Sequence, residues 1–358
     1  MANRASHFDV LLVYYISGHG FGHASRSIEL IRTIVAARPD ARIVIKTAAP
    51  AWLFDAITGP AIAVRPLDAD TGVTQRDSLT IDEHDSVKRA AAFYRDFDGL
   101  VDREAGALRT IGATGVIGDI PPLALAAAAR AGVPGVAIGN FTWDWIYAGY
   151  DSFAREAPEV IHVIRDAYAL ATRALRLPLH GGFEPMAAVT MDIPFIARRS
   201  RRDPADTRRA LGVPDDRPFV VASFGAYGLN AAYDDIAKAQ RLTVLSPGST
   251  LPAGLAYQDV VEAADLVITK PGYGIVSECV ANGTPLLYTS RGRFVEYDVF
   301  VAGMPRVLRC RFIPQDDVMA GRWRTHIDAL LQQPPPPEQP RIDGADVATT
   351  SILDLMNG

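Results

Sequence analysis

Asp265-Leu-Val-Ile-Thr-Lys-Pro-Gly-Tyr-Gly-Ile-Val-Ser-Glu-Cys-Val-Ala-Asn-Gly-Thr-Pro-Leu-Leu-Tyr288 spells strand, glycine turn, helix and strand in direct succession. Residues 265–269 are an apolar run of strand composition, and Pro271, Gly272 and Gly274 end it in a turn. A helix then starts near Gly274, carries Ile275, Val276, Cys279 and Val280 on its apolar side, and stops at Asn282-Gly283, a left-handed cap signal. Its free N–H groups and positive dipole end point at the glycine turn, which makes the turn an anion site suited to a phosphate or diphosphate. Glu278 stands about one turn further in, where its carboxylate could accept hydrogen bonds from a ribose. An ordinary crossover unit has the same outline. The composite of Lys-Pro-Gly-Tyr-Gly, a Glu four residues past Gly274, and Asn-Gly-Thr-Pro before the next strand favours a ligand site.

Working outward, the chain has 358 residues, 49% hydrophobic and 22% charged, enough for two α/β domains. A net charge of −5 offers no basic field for a nucleic-acid backbone. The one basic run, 198–209, reads as an exposed linker entering a helix, with an anionic-membrane contact as the alternative. Cys279 and Cys310 are the only cysteines, too few for a disulfide framework or a zinc site. The apolar run 8–16 is too short to span a membrane and leads into a glycine-histidine loop rather than a cleavage site, so a cytoplasmic protein is expected.

That run reads as a central parallel strand, followed by Ser17-Gly-His-Gly-Phe-Gly-His23 and a helix over 24–37. Ligands gather at the carboxyl ends of strands in open α/β sheets, and two histidines here offer a base that works near neutral pH. Gly18, Gly20 and Gly22 are spaced G-x-G-x-G rather than G-x-G-x-x-G, and no acid for a ribose follows near position 45, which argues against a nicotinamide site. Residues 114–140 form a strand–helix–strand unit that sets Asp119 at a strand's carboxyl end, where it can also cap the alanine helix. Asp68-Ala-Asp70 has the spacing of a metal pair but lies in a polar loop, so no metal is assigned. One helix is expected over 86–108, another over 155–175, and a linker over 177–204. Trp143 and Trp145 could stack on sugar C–H faces or pack a domain interface.

The Lys-Pro-Gly-Tyr-Gly composite resembles the donor half of GT-B glycosyltransferases, in particular the peptidoglycan N-acetylglucosaminyltransferase and the UDP-glycosyltransferases. The resemblance implies two Rossmann-like domains facing a central cleft. The first (1–180) is on the acceptor side and the second (205–335) binds the donor, while a terminal helix over 343–358 packs back on the first. By position it gives Glu278 the ribose role and Gly272, Tyr273 and Gly274 the phosphate role, with Lys270 and Ser277 as further donor-binding residues. Gly225 and Tyr227 face the donor, and Glu296, with Asp298 second, holds its sugar. On the acceptor side it makes His23 the general base, His19 its alternative, Asp119 the partner that orients the base, and Gly20, Gly22, Trp143 and Trp145 the surrounding wall. The implied activity is metal-independent, inverting transfer of a sugar from a nucleotide-sugar, a UDP-sugar by preference, to a small-molecule or glycan acceptor, with no resident cofactor. A non-catalytic nucleotide- or sugar-binding module and a nucleotide-sugar epimerase are the alternatives. Tyr-Tyr-Ile-Ser-Gly-His-Gly-Phe-Gly-His (14–23) with 140–150 also resembles the glycosyltransferase-like N-terminal region of L-arabinokinase; the ATP motif of that enzyme's kinase half does not occur in these residues. Between 229 and 265 only one clear strand, 242–246, is visible, so the second domain is expected to be shortened.

Overall fold

The computed structural model describes residues 10–357 apart from Ser78, 226–228 and Asn230, so the expectation for Tyr227 lies outside the described residues. Two parallel sheets carry the chain. The first has the order β3-β2-β1-β4-β5-β6-β7, with β1 Leu11–Ile16, β2 Arg42–Thr47, β3 Ile62–Pro66, β4 Gly115–Asp119, β5 Gly135–Gly139, β6 Arg173–Arg176 and β7 Thr190–Asp192. β1, β4 and β5 are buried along their whole length, as strands covered by helices on both faces must be. The second sheet has the order β12-β11-β10-β8-β9, with β8 Phe219–Ser223, β9 Thr243–Leu245, β10 Leu266–Thr269, β11 Leu286–Tyr288 and β12 Cys310–Phe312. Every pairing between these strands is parallel. β9 is the expected strand inside 242–246, and the five-stranded sheet is the smaller of the two.

Several boundaries differ from the sequence reading, each for a local reason. The first helix, Phe21–Ala37, begins three residues before the expected start, because Gly20 at φ 82° turns the chain straight into it. His23 therefore stands in the first helical turn rather than at the end of a loop. The expected 86–108 helix is two helices, Glu83–Tyr94 and Phe97–Ile111. In the expected 155–175 helix, Pro158 starts a fresh helix after Asp151–Glu156, and its last residues form β6. The expected linker 177–204 supplies β7, which extends the first sheet beyond residue 180. The basic run is not simply exposed either: Arg198 and Arg208 are half-buried, and both are engaged with the second domain.

The terminal helix, Gly344–Asn357, packs on Phe21–Ala37. Among the described residues no helix is long and apolar enough to cross a membrane.

Candidate functional site

The carboxyl ends of β1 and β4 meet at the site. Ser17 follows β1 and donates its backbone N–H to the Asp119 carbonyl, pinning the start of the glycine-histidine segment to the end of β4. Asp119 is fully buried, and its carboxylate is gripped from several sides. Arg26 donates from Nε to Oδ2 at 2.7 Å and from Nη2 to Oδ1 at 2.5 Å, Ser27 donates to Oδ2 at 3.0 Å, and His23 Nδ1 lies 2.8 Å from Oδ1. A carboxylate oxygen that close requires the proton on Nδ1, since two lone pairs would repel; Nε2 is then the proton-accepting nitrogen. Burial alone would raise the Asp119 carboxyl, but Arg26 and His23 outweigh it and hold it at about 2.

Across from this pair stands the Tyr273–Asn282 helix, whose N-cap is Gly272. Its approach to the first helix is backbone on backbone: a Cβ on Gly274 would lie 2.9 Å from Gly22 Cα, so any side chain at either position would push the two helix starts apart. Tyr273 is buried, lays its ring 5.0 Å from the Arg26 guanidinium, and accepts the Ile196 N–H on its hydroxyl at 3.2 Å. Ser277 turns back to its own helix, donating to the Gly274 carbonyl.

The two candidate donor carboxylates are both engaged within the protein. Glu278, 2% exposed, accepts from Ser25 of the first helix at 2.9 Å and from Arg198 Nε at 2.6 Å. Glu296, also buried, accepts from Asn140 Nδ2 at 2.5 Å and lies 3.5 Å from Arg291. Both bonds to Glu278 fall on Oε1, so a ribose reaching this acid either shares that oxygen or uses Oε2. Asp298, the second choice for the sugar, lies in the same helix, Glu296–Val307.

Cationic groups gather beside the N-terminus of the Tyr273–Asn282 helix. Arg291 stacks on Phe294 at 3.7 Å and reaches the Pro271 carbonyl. Lys270 reaches Gln75 of the first domain at 3.3 Å, and Gly225, at φ 72°, lies alongside its side chain. Desolvation, reinforced by Arg291, lowers the Lys270 ammonium to about 7. His19 packs edge-on to Trp143, with its Nε2 buried and unpartnered among the described residues. Burial first, then Arg291 and His23, lower it to about 3, which leaves it a poor proton acceptor compared with its role as the alternative base.

Trp143 corrects the sugar-stacking expectation. It is fully buried against Phe141 and Tyr147 and donates its indole N–H to Asp70 at 2.8 Å. Asp70 also accepts from Ser17, whereas Asp68 is exposed, so the spacing suggestive of a metal pair does not bring the two carboxylates to a common point. Trp145 is only partly buried; it lies over Gly181 and Gly182 and lines a shallow surface cavity of ≈ 620 Å³ with Asp144, Arg165 and Glu184. Sequence reading missed Arg26, Asn140, Arg198 and Arg291, since none carries a spacing signal. Arg26 could have been found as a charge on the inward side of an amphipathic helix, three residues beyond His23.

Two parallel α/β sheets meeting at the carboxyl ends of their strands, with a helix N-terminus of the second facing a buried histidine–aspartate pair of the first, make this a GT-B fold. The calicheamicin glycosyltransferase superposes with a TM-score of 0.64 at 14% identity, over 98% of this chain and 99% of that one. A UDP-glucosyltransferase from Polygonum tinctorium capable of glucosylating indoxyl gives 0.59 at 13% identity, over 98% and 99%. No family model matches the chain. In sequence it is 31% identical to L-arabinokinase of Arabidopsis thaliana over 373 aligned positions, which take in 99% of this chain and 35% of that protein, so the chain spans about a third of that relative's length.

Proposed function

We propose that this protein is a glycosyltransferase that takes a nucleotide-sugar, with UDP as the carrier, and transfers its sugar with inversion to a hydroxyl of a small-molecule or glycan acceptor. The observation that carries the reading is the buried His23–Asp119 pair set against the start of the Tyr273–Asn282 helix. In the proposed step His23 Nε2 takes the acceptor hydroxyl proton as the oxygen bonds to the anomeric carbon. The bond from that carbon to the diphosphate breaks, and its electron pair leaves with the nucleoside diphosphate. Asp119 holds the Nδ1 proton and balances the imidazolium that forms. The helix N-terminus, Lys270 and Arg291 offset the leaving charge, so this reading requires no metal. The UDP-glucosyltransferase from Polygonum tinctorium, which shares this fold, supports the donor class.

Binding of a nucleotide-sugar without transfer is the second reading, favoured by one observation: the second sheet is the smaller, with five strands against seven among the described residues. A thermal-shift panel of UDP, GDP, ADP, dTDP and their sugar conjugates tests the site, and product analysis with an added acceptor tests the chemistry. The transferase reading expects one nucleotide family to raise the melting temperature by a few degrees at a hundred times its dissociation constant, and a glycosylated product. Binding without product supports the second reading, an isomerised donor sugar would indicate an epimerase, and no shift at millimolar ligand would remove donor-dependent activity.

A further inference from the structure

An unbroken chain of buried polar contacts runs from His23 into the second domain. Asp119 joins His23 to Arg26; Arg26 Nη1 donates to Asn140 Oδ1 at 2.8 Å; Asn140 Nδ2 donates to Glu296. Asp119, Arg26, Asn140 and Glu296 are each less than 5% exposed. Burying charges costs solvation that their attraction often fails to recover, so a network of this kind is weak evidence for stability alone. Its position behind the candidate base suggests what else it does. On the transferase reading, we infer that Arg26 is a positioning residue: it fixes the Asp119 carboxylate, divides that carboxylate's charge with the His23 ring, and makes that geometry depend on the second domain being seated.

The geometry supports each part. Arg26 spans both oxygens of Asp119, a planar two-point grip that lysine cannot reproduce. Its Nη2 also lies 3.0 Å from His23 Nδ1, so a positive charge stands directly beside the ring that would have to become positive. The other titratable groups facing the ring are Asp119 at the end of β4, Asp70 in the loop after β3 and His19 in the loop after β1. From the second domain, Tyr273 covers the guanidinium and Glu296 holds Asn140, the residue that anchors the remaining Arg26 nitrogen. If the second domain moves away, Arg26 loses the Tyr273 ring, and Asn140 loses the Glu296 carboxylate that orients it.

The test uses the full chain with ¹⁵N-labelled histidine, the His23 signal being assigned by its loss in His23→Gln. In Arg26→Met the His23 ring should take up its second proton at a pH higher than in the parent by about 1 unit or more, because the neighbouring cation is gone and the whole Asp119 charge falls on the imidazole. Arg26→Lys, which keeps the charge but not the fork, should move in the same direction by less, as should Asn140→Leu, which removes one anchor. With UDP-glucose as donor probe, the acid limb of the kcat profile should move with the titration. If Arg26→Met fails to fold by circular dichroism, Arg26→Lys decides. A His23 titration unchanged in the folded variants, in a chain that binds nucleotide-sugars, would overturn the role of Arg26 alone. A chain that neither binds nor turns over any nucleotide-sugar would overturn the transferase reading and this role with it.

Discussion

Lys270→Met gives the most demanding test of the donor site, because the structure fixes both the sign and the pH window. In the folded chain the ammonium sits at about 7 against an ordinary value of 10.5, so between those values the unfolded chain binds more protons than the folded one. Stability must therefore rise with pH across that window, and the full cost of burying the cation is present below it. The gap corresponds to about 5 kcal/mol at 1.36 kcal/mol per pH unit; discounted for residual solvent contact, a cost on the order of 2–4 kcal/mol is expected. Lys270→Met removes that cost. The variant should melt several degrees above the parent at pH 6, and its advantage should shrink toward pH 10.

The same substitution should weaken UDP binding by roughly 10- to 100-fold, the worth of a charge-assisted hydrogen bond. In the parent at pH 8, a bound diphosphate should draw up to one proton onto Lys270. Calorimetry in two buffers of different ionisation enthalpy reads this directly. A melting difference independent of pH, together with UDP binding that takes up no proton and is indifferent to the substitution, would refute the placement of Lys270 at an anion site.

Three further outcomes are expected. His23→Ala should lower turnover by about 10²–10⁴-fold with donor affinity largely kept, and Asp119→Asn should lower it less; steady-state kinetics beside calorimetry separates the two effects, and near-normal turnover in His23→Ala would take it out of the mechanism. Ser25→Ala frees Glu278 from one of its two partners and should tighten UDP binding severalfold if the ribose competes for that carboxylate, whereas Glu278→Ala should weaken it; unchanged affinity in both would place the ribose elsewhere. Activity should survive EDTA, and complete loss restored by manganese or magnesium would show that the helix terminus and its cations do not suffice.

The two-sheet α/β plan was legible in the sequence because it rests on local signals. The apolar runs of β1, β4, β5, β8 and β10 are continuous since both faces of each strand are covered, and glycine and proline mark where they stop. The strand–turn–helix at 265–283 and the placing of Asp119 at a strand's end follow from the same short-range rules, and His23 and Asp119, 96 residues apart, meet at 2.8 Å because β1 and β4 are neighbours. Where long-range packing outweighs local composition, the sequence misled. Trp143 and Trp145 stand two residues apart, yet one fills the core and the other borders a surface cavity, a choice set by Asp70, which comes from a distant loop and accepts the Trp143 indole N–H. Arg198 lies in what reads as a solvated basic run, yet it meets Glu278, 80 residues on. Only the tertiary structure could decide that the donor-side acids are engaged and that Arg26 stands between the candidate base and the second domain. Those partners come from separate segments whose pairing is set by how the two domains meet, and no spacing in a single segment encodes that meeting.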